Sequence, residues 1–357
     1  MLRKPLTRPQ ALRNVLLVKI SATRLPGRTL VKHAALAVAA LLTVTACATG
    51  GAAAGSSDDN TSDNAEAAIT ITHQQGTASF AHSPTTVVAL DWGVITVLDA
   101  LGVEVAGAPM ASAHVMPDYL AGAMADAVNV GTLHEPDFEA IAALNPDVII
   151  AAARSQVHVA ELSRIAPTVD FTIDGTDVVA QSIAQARELG TLFDRQDQAE
   201  SLIGTLEESF DQLGLVGAEA GDALMILTTG GNVSAHGEQG RFSILYHELG
   251  FEPAATLDLP TGQEPRHGMA VSFEFILDVD PDWLFVIDRD SAIGAQGAVM
   301  AQSVLDNSII RATSAYQNNR IVYVDTMNWY ILGGGVVALQ GIADEMAAVF
   351  AADGSQS

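Results

Sequence analysis

Two arginines stand at the ends of matching apolar runs. The stretch "DFEAIAALNPDVIIAAAR" (Asp137–Arg154) recurs 135 residues later as "SFEFILDVDPDWLFVIDR" (Ser272–Arg289). The copies share Phe138/Phe273, Glu139/Glu274, Ile141/Ile276, Pro146/Pro281, Asp147/Asp282 and Arg154/Arg289. A guanidinium keeps its charge at any physiological pH and offers five N–H donors in a planar fork, so it suits oxyanions. A chain that builds one substructure twice and closes each copy on a cation is expected to present two cations to one anionic object. The competing reading is a structural ion pair at each strand end.

The rest of the composition makes these positions informative. Seventeen basic residues face 42 acidic ones, for a net charge of −25. Eight of the basic residues, including every lysine, fall in residues 1–32, where there is no acid; nine arginines remain for the whole body. A surface this acidic repels nucleic-acid phosphates and anionic lipid, which excludes both as partners. Catalytic signatures are missing: HExxH, CxxC, GxSxG and GxxxxGK[ST] do not occur. "LGGGVVA" (Leu332–Ala338) loosely matches a dinucleotide fingerprint but has no βαβ unit behind it, and reads as a helix-start turn. The sequence therefore points to a binding protein, with no cofactor of its own, rather than an enzyme.

The elements that must position the arginines can be read from periodicity. "ITITHQQGTASF" alternates as a hairpin turning at Gln75-Gly76, "TVVAL" is a buried strand, and "DWGVITVLDALG" has helical spacing. "VEVAGAP", "DVIIAAA" and "IAPTVDF" read as further strands, with a helix over "PDFEAIAALNP". From Asp194 to Leu213 apolar residues recur at helical spacing, which predicts a connector about 30 Å long. Beyond it "ALMILTT", "DWLFVID" and "RIVYVD" read as strands, and "RFSILYHELG", "SFEFILDVDP" and "GGVVALQGIADEMAAVFAA" as helices. The expected fold is α/β: two Rossmann-like lobes, 69–193 and 216–357, joined by one long helix over 194–215. Asp137 and Ser272 are expected N-caps. In each copy the arginine follows the carboxyl end of a buried strand, where open α/β sheets bind ligands.

The N-terminus reads as an export signal: basic residues, an apolar run Ala34–Val44, then "VTAC" ending at Cys47, the one cysteine of the chain. The motif resembles a bacterial lipobox, which implies lipidation of Cys47 and a cell-membrane location on the extracytoplasmic face. Residues 48–68 are small, polar and acidic, and read as a flexible tether.

Over nearly all of the segment after Cys47 the chain resembles the siderophore-binding lipoproteins of bacterial iron ABC importers, in their catecholate and petrobactin-type branch. The segments that carry the likeness are "VVALDWGVITVLDALGVEVAG", "NVGTLHEPDFEAIAALNPDVIIAAAR", "GGNVSAHGEQGRFSILYHELGF", "RHGMAVSFEFIL", "LFVIDRDSAIG" and "NWYILGGG". The resemblance implies the class III periplasmic-binding-protein fold, modest closure about its single helix, and capture of ferric iron as a siderophore complex. It implies an ABC permease as partner, a membrane association through the lipid anchor only, and a monomer. It puts Arg154, Arg241 and Arg289 on the anionic ligand, and His267 and Tyr330 on iron where the siderophore leaves positions unfilled. Trp329, Trp92 and Tyr119 are further pocket candidates. Glu139 and Glu274 fall where the family presents one glutamate per lobe to the permease, although a first-turn carboxylate also stabilises its own helix. Met269-Ala270 departs from the polar pair expected there, which leaves the identity of the siderophore open. Ferric hydroxamate, heme and cobalamin are alternative ligands; a metalloenzyme using His267 is the remote one.

Overall fold

In the computed structural model, residues 68–110, 116–175, 177–257 and 268–354 are described. Cys47, the export signal and the tether up to residue 67 lie outside them, as does His267. The chain enters as the hairpin β1 (Ile69–His73) and β2 (Gly76–Phe80). There follow β3 (Val87–Ala89), α1 (Trp92–Ala100), β4 (Gly107–Ala108), α2 (Asp118–Ala123), β5 (Val128–Asn129) and α3 (Phe138–Ala143). Then come β6 (Val148–Ala151), α4 (Val159–Leu162), β7 (Thr168–Asp170) and α5 (Val178–Leu192). Strands β3 to β7 make one parallel sheet in the order β5-β4-β3-β6-β7.

Helix α6 (Gln196–Ala220) carries the chain to the second sheet, a span of 25 residues and about 37 Å at 1.5 Å per residue. The second half holds β8 (Asp222–Thr229), β9 (Asn232–His236), α7 (Ile244–His247), β10 (Glu252–Pro253), β11 (Met269–Val271) and α8 (Phe273–Val279). It continues with β12 (Trp283–Asp288), α9 (Arg289–Ala292), α10 (Ala301–Leu305), α11 (Ser314–Gln317), β13 (Ile321–Tyr323) and α12 (Val336–Gly354). Its sheet runs β11-β9-β8-β12-β13, with β10 also beside β8. Strand β9 is antiparallel to β8 and β11, while β8, β12 and β13 are parallel.

Successive strand residues point to opposite faces, and both faces of each sheet are covered. In β12, Trp283, Phe285 and Ile287 join a core shared with Val87, Ala89, Val148 and Ile150 of the first sheet and with α1, α5, α6 and α12. Leu284 and Val286 instead pack against Ile276 and Ile310, as Val88 and Ile149 do against Ile141 and Leu162. One apolar cluster thus runs through both halves, and α12 packs on α6, α5 and α1.

The sequence repeat persists in the backbone. Asp137 and Ser272 cap α3 and α8 by accepting backbone N–H groups. Asn145 and Asp280, equivalent positions before the prolines, both turn left-handed, at φ 47° and 46°. Asp147 accepts the N–H groups of Thr85 and Thr86 at the start of β3, and Asp282 accepts that of Asp222 at the start of β8. In both copies this carboxylate pins the neighbouring parallel strand.

Helix α6 runs seven residues beyond Leu213, because Gly214 and Gly217 let the turn at 248–250 lie against it. A methyl group at 217 would fall within the contact radius of the Leu249 carbonyl oxygen. This close seat also shortens the expected helix over "RFSILYHELG" to the four residues of α7, since Gly250 leaves at φ 78°.

Candidate ligand-binding site

The order of the first sheet reverses between β3 and β6, and the carboxyl ends of these strands form its natural crevice. Asp91 follows β3 and Arg154 follows β6. Asp91 is buried and caps α1 by accepting the Val94 N–H at 3.1 Å. Burial raises its carboxyl above the usual range, against the opposing pull of the Val94 N–H and of the Arg154 charge. Ala153 is left-handed at φ 46°, a conformation that strains an alanine. Its N–H donates to Thr172 Oγ1 at 2.9 Å, which holds the turn that carries Arg154.

In the second sheet β8 and β12 end in the same way. Arg289 follows β12; its Nη1 donates to Thr229 Oγ1 at 3.2 Å, and that hydroxyl donates to Asp290 Oδ1 at 3.0 Å. The buried Asp290 also accepts the Gly230 N–H at 2.7 Å, and its Oδ1 stands 4.0 Å from Arg289 Nη1. The third arginine, Arg241, follows the turn after β9, with its guanidinium 5.2 Å from the Phe242 ring centroid.

All three arginines reach one segment. Met327–Leu332 winds as a π-helix, and Gly333, Gly334 and Gly335 follow with φ of 68°, 137° and 87°. Arg154 Nη1 donates to the Ile331 carbonyl at 3.0 Å, and Arg241 Nη2 to the Tyr330 carbonyl at 2.9 Å. Arg289 Nε donates to the Tyr330 hydroxyl at 2.9 Å. The Arg241 guanidinium also lies over the Tyr330 ring, 4.4 Å from its centroid, in cation–π contact. Gly93 makes the approach possible: a Cβ there would sit 2.7 Å from the Leu332 carbonyl and 3.1 Å from Asp91 Oδ1.

Around these groups opens a cleft of about 650 Å³, walled by Arg154, Thr172 and Ile173 on one side and by Arg241, Phe242 and Arg289 on the other. Its size suits a drug-sized ligand. The clustering is selective. Arg187, Arg311 and Arg320 are taken up in salt bridges with Glu200, Asp306 and Asp353, whereas the hydrogen bonds described above bring the cleft arginines to main-chain carbonyls and hydroxyls, with Asp290 4.0 Å from Arg289. Among the described lining residues three cations stand against one carboxylate, Asp174, which makes a local well for an anion in an acidic protein.

The structure brings Arg154, Arg241, Arg289, Trp329 and Tyr330 to this cleft. Trp329 is buried, and its indole N–H donates to Glu345 Oε2 at 2.8 Å, so it anchors the π-helical segment to α12. Trp92 corrects an expectation: it lies in the core, its indole N–H bonded to the Pro109 carbonyl at 2.9 Å, and does not line the cleft. Its partner Pro109 directly follows β4, so the indole is spent on the end of that strand and not on the cleft. Tyr119 is exposed on α2, away from the lining. Glu139 and Glu274 are exposed in the first turns of α3 and α8; the Glu274 carboxyl is held below its usual range by its own N–H and the Ser272 hydroxyl. Among the described residues, no group of three or more His, Cys, Asp or Glu could hold a metal ion. The sequence reading missed Asp91, Thr229, Phe242 and Asp290. Asp91 and Asp290 follow the ends of β3 and β12, but the bonds that give Asp290 its role cross to the neighbouring strand end.

A family model described as "Periplasmic binding protein" matches residues 87–326. The petrobactin-binding protein YclQ of Bacillus subtilis is 31% identical over 291 residues, covering 80% of this chain and 89% of that protein. The ferric-anguibactin-binding protein FatB of Vibrio anguillarum is 29% identical over 291 residues, with 79% and 87% covered. Among solved structures, the periplasmic catecholate-siderophore binding protein VctP of Vibrio cholerae superposes with a TM-score of 0.72 at 31% identity, covering 79% of this chain and 99% of that one.

Proposed function

We propose that this chain, which belongs to the periplasmic binding protein family, captures an anionic ferric siderophore of the catecholate type and hands it to an ABC permease. The observation that carries this reading is the convergence of Arg154, Arg241 and Arg289 from two sheets on a single cleft. A ferric catecholate is a bulky anion with oxygen acceptors and flat aryl rings. Guanidinium groups donate to the first and stack on the second. Iron is cargo here, and no bond is made or broken.

Tyr330 lines the cleft, its hydroxyl accepting from Arg289 Nε, and is the residue we assign to iron when the siderophore leaves coordination positions unfilled; phenolate oxygen suits the hard ferric ion. His267 is assigned the same role from the sequence alone. Glu139 and Glu274, exposed on equivalent helices, are assigned to the permease. Cys47 is assigned to a lipid anchor on the extracytoplasmic face, with the protein acting as a monomer. No helix among the described residues is long and apolar enough to cross a membrane.

Quenching of tryptophan fluorescence tests the reading. Titration with a ferric catecholate is expected to saturate at micromolar concentration or below, and ferrioxamine, a hydroxamate lacking the negative charge, is expected to leave the signal unchanged. Arg289→Ala is expected to weaken the catecholate by about tenfold or more, as loss of one charge-assisted contact requires. Equal response to both chelates, or an unaltered affinity in Arg289→Ala, refutes it.

A further inference from the structure

Behind Tyr330 lies a second chamber, of about 370 Å³, that shares Arg241, Arg289 and Tyr330 with the main cleft. These three side chains form the partition between the two spaces: the ring of Tyr330 carries the Arg241 guanidinium on its face and the Arg289 Nε at its hydroxyl.

The floor of the chamber is one row across three strands. Ser234 of β9 pairs with Leu227 of β8 on one side and with Ala270 of β11 on the other, and paired residues on neighbouring strands share a face. Thr229 and Asn232, a pair farther along, add a hydroxyl and an amide at one end. The floor is therefore apolar at both flanks and carries neutral hydrogen-bonding groups between and beside them. Among the described residues its lining includes no acidic side chain; it also holds the His236 imidazole, and its two guanidinium groups sit at the partition, turned to Tyr330 and Thr229.

We propose that this chamber is a second subsite that receives an uncharged arm of the chelate, while the anionic iron-bearing head stays against the three arginines. The arm has an apolar body of about the size of one aryl ring and an amide or hydroxyl edge that meets Ser234, Thr229 and Asn232. A charged arm is disfavoured, since Leu227 and Ala270 give it nothing in exchange for lost water. Ala270 sets the depth: it is exposed on an edge strand, so a larger side chain there fills the chamber without disturbing the buried core. The inference rests on the ferric-siderophore reading above.

The test uses two ferric probes that differ in one feature, a linear bis-catecholamide and the same compound bearing a pendant neutral benzamide. The wild-type protein is expected to prefer the benzamide-bearing probe by about tenfold, the gain from burying one aryl group. Ala270→Phe is expected to abolish that preference while leaving the plain probe within about twofold. Ser234→Ala, a smaller change, is expected to reduce the preference in part. If both wild-type affinities are equal, or if Ala270→Phe weakens both probes alike, the subsite is refuted and the cleft assignment stands. If the wild type binds neither probe, the siderophore reading fails and the subsite fails with it.

Discussion

Asp290→Ala isolates the scaffold behind the cleft cations. The carboxylate is buried and accepts two hydrogen bonds, from the Gly230 N–H at 2.7 Å and the Thr229 hydroxyl at 3.0 Å. Each bond to a charged group contributes roughly 1.5–3 kcal/mol, so the loss of both is expected to cost about 3–6 kcal/mol of unfolding free energy. The ion pair with Arg289 at 4.0 Å adds little, because that guanidinium side chain is 38% exposed. The variant also releases Thr229, whose hydroxyl accepts from Arg289 Nη1, so the guanidinium loses its fixed orientation and chelate affinity is expected to fall about tenfold. Urea unfolding followed by circular dichroism gives the first quantity, and the ferric-catecholate titration the second. Asp290→Asn, which can still accept from Gly230, is expected to show about half the stability loss. An unfolding free energy within about 1 kcal/mol of wild type for Asp290→Ala would refute the scaffold argument, since neither bond could then be worth its usual amount.

Three more outcomes follow from the same contacts. Asp147 is held below the usual carboxylate range, chiefly by the Thr86 N–H and then by the Thr85 hydroxyl and N–H. Its stabilisation is present above an unfolded pKa of about 3.9 and disappears as pH falls through the lower native value, so Asp147→Ala is expected to flatten the acid limb of a stability–pH curve. Gly217→Ala is expected to lower the unfolding midpoint in urea despite alanine's better helix propensity, because the added methyl meets the Leu249 carbonyl; a stabilised variant would show that the seat yields. Gly93→Ala pushes on the Leu332 carbonyl, and is expected to weaken chelate binding by displacing the segment that carries Tyr330, as read by the same titration.

The repeated stretch was the most legible part of the sequence. Asp137 and Ser272 are caps whose mechanism is local, and the Asn145 and Asp280 turns before proline are local too, so pattern and structure coincide there. Arg154 and Arg289 were legible because a strand's carboxyl end is a position the chain order defines. Trp92 was not, since its type fits a pocket and a core equally and only the register of α1 on the sheet decides. The α7 region was over-read as a longer helix because what ends it, main-chain contact with α6, comes from residues some thirty positions away. Asp290 and Thr229 support Arg289 through bonds across neighbouring strand ends, and no spacing along the chain announces such a pairing.

The notch that Gly214 and Gly217 leave in α6 has a mechanical meaning. A turn lodged main chain to main chain against a helix has no side-chain layer to roll on, so the end of α6 moves as one piece with the second sheet, into which both it and the turn lead. Any parting of the cleft walls is then expected at the other end of α6, where the helix leaves the first half. Two glycines thereby decide which end of the connector is stiff and which is left to bend.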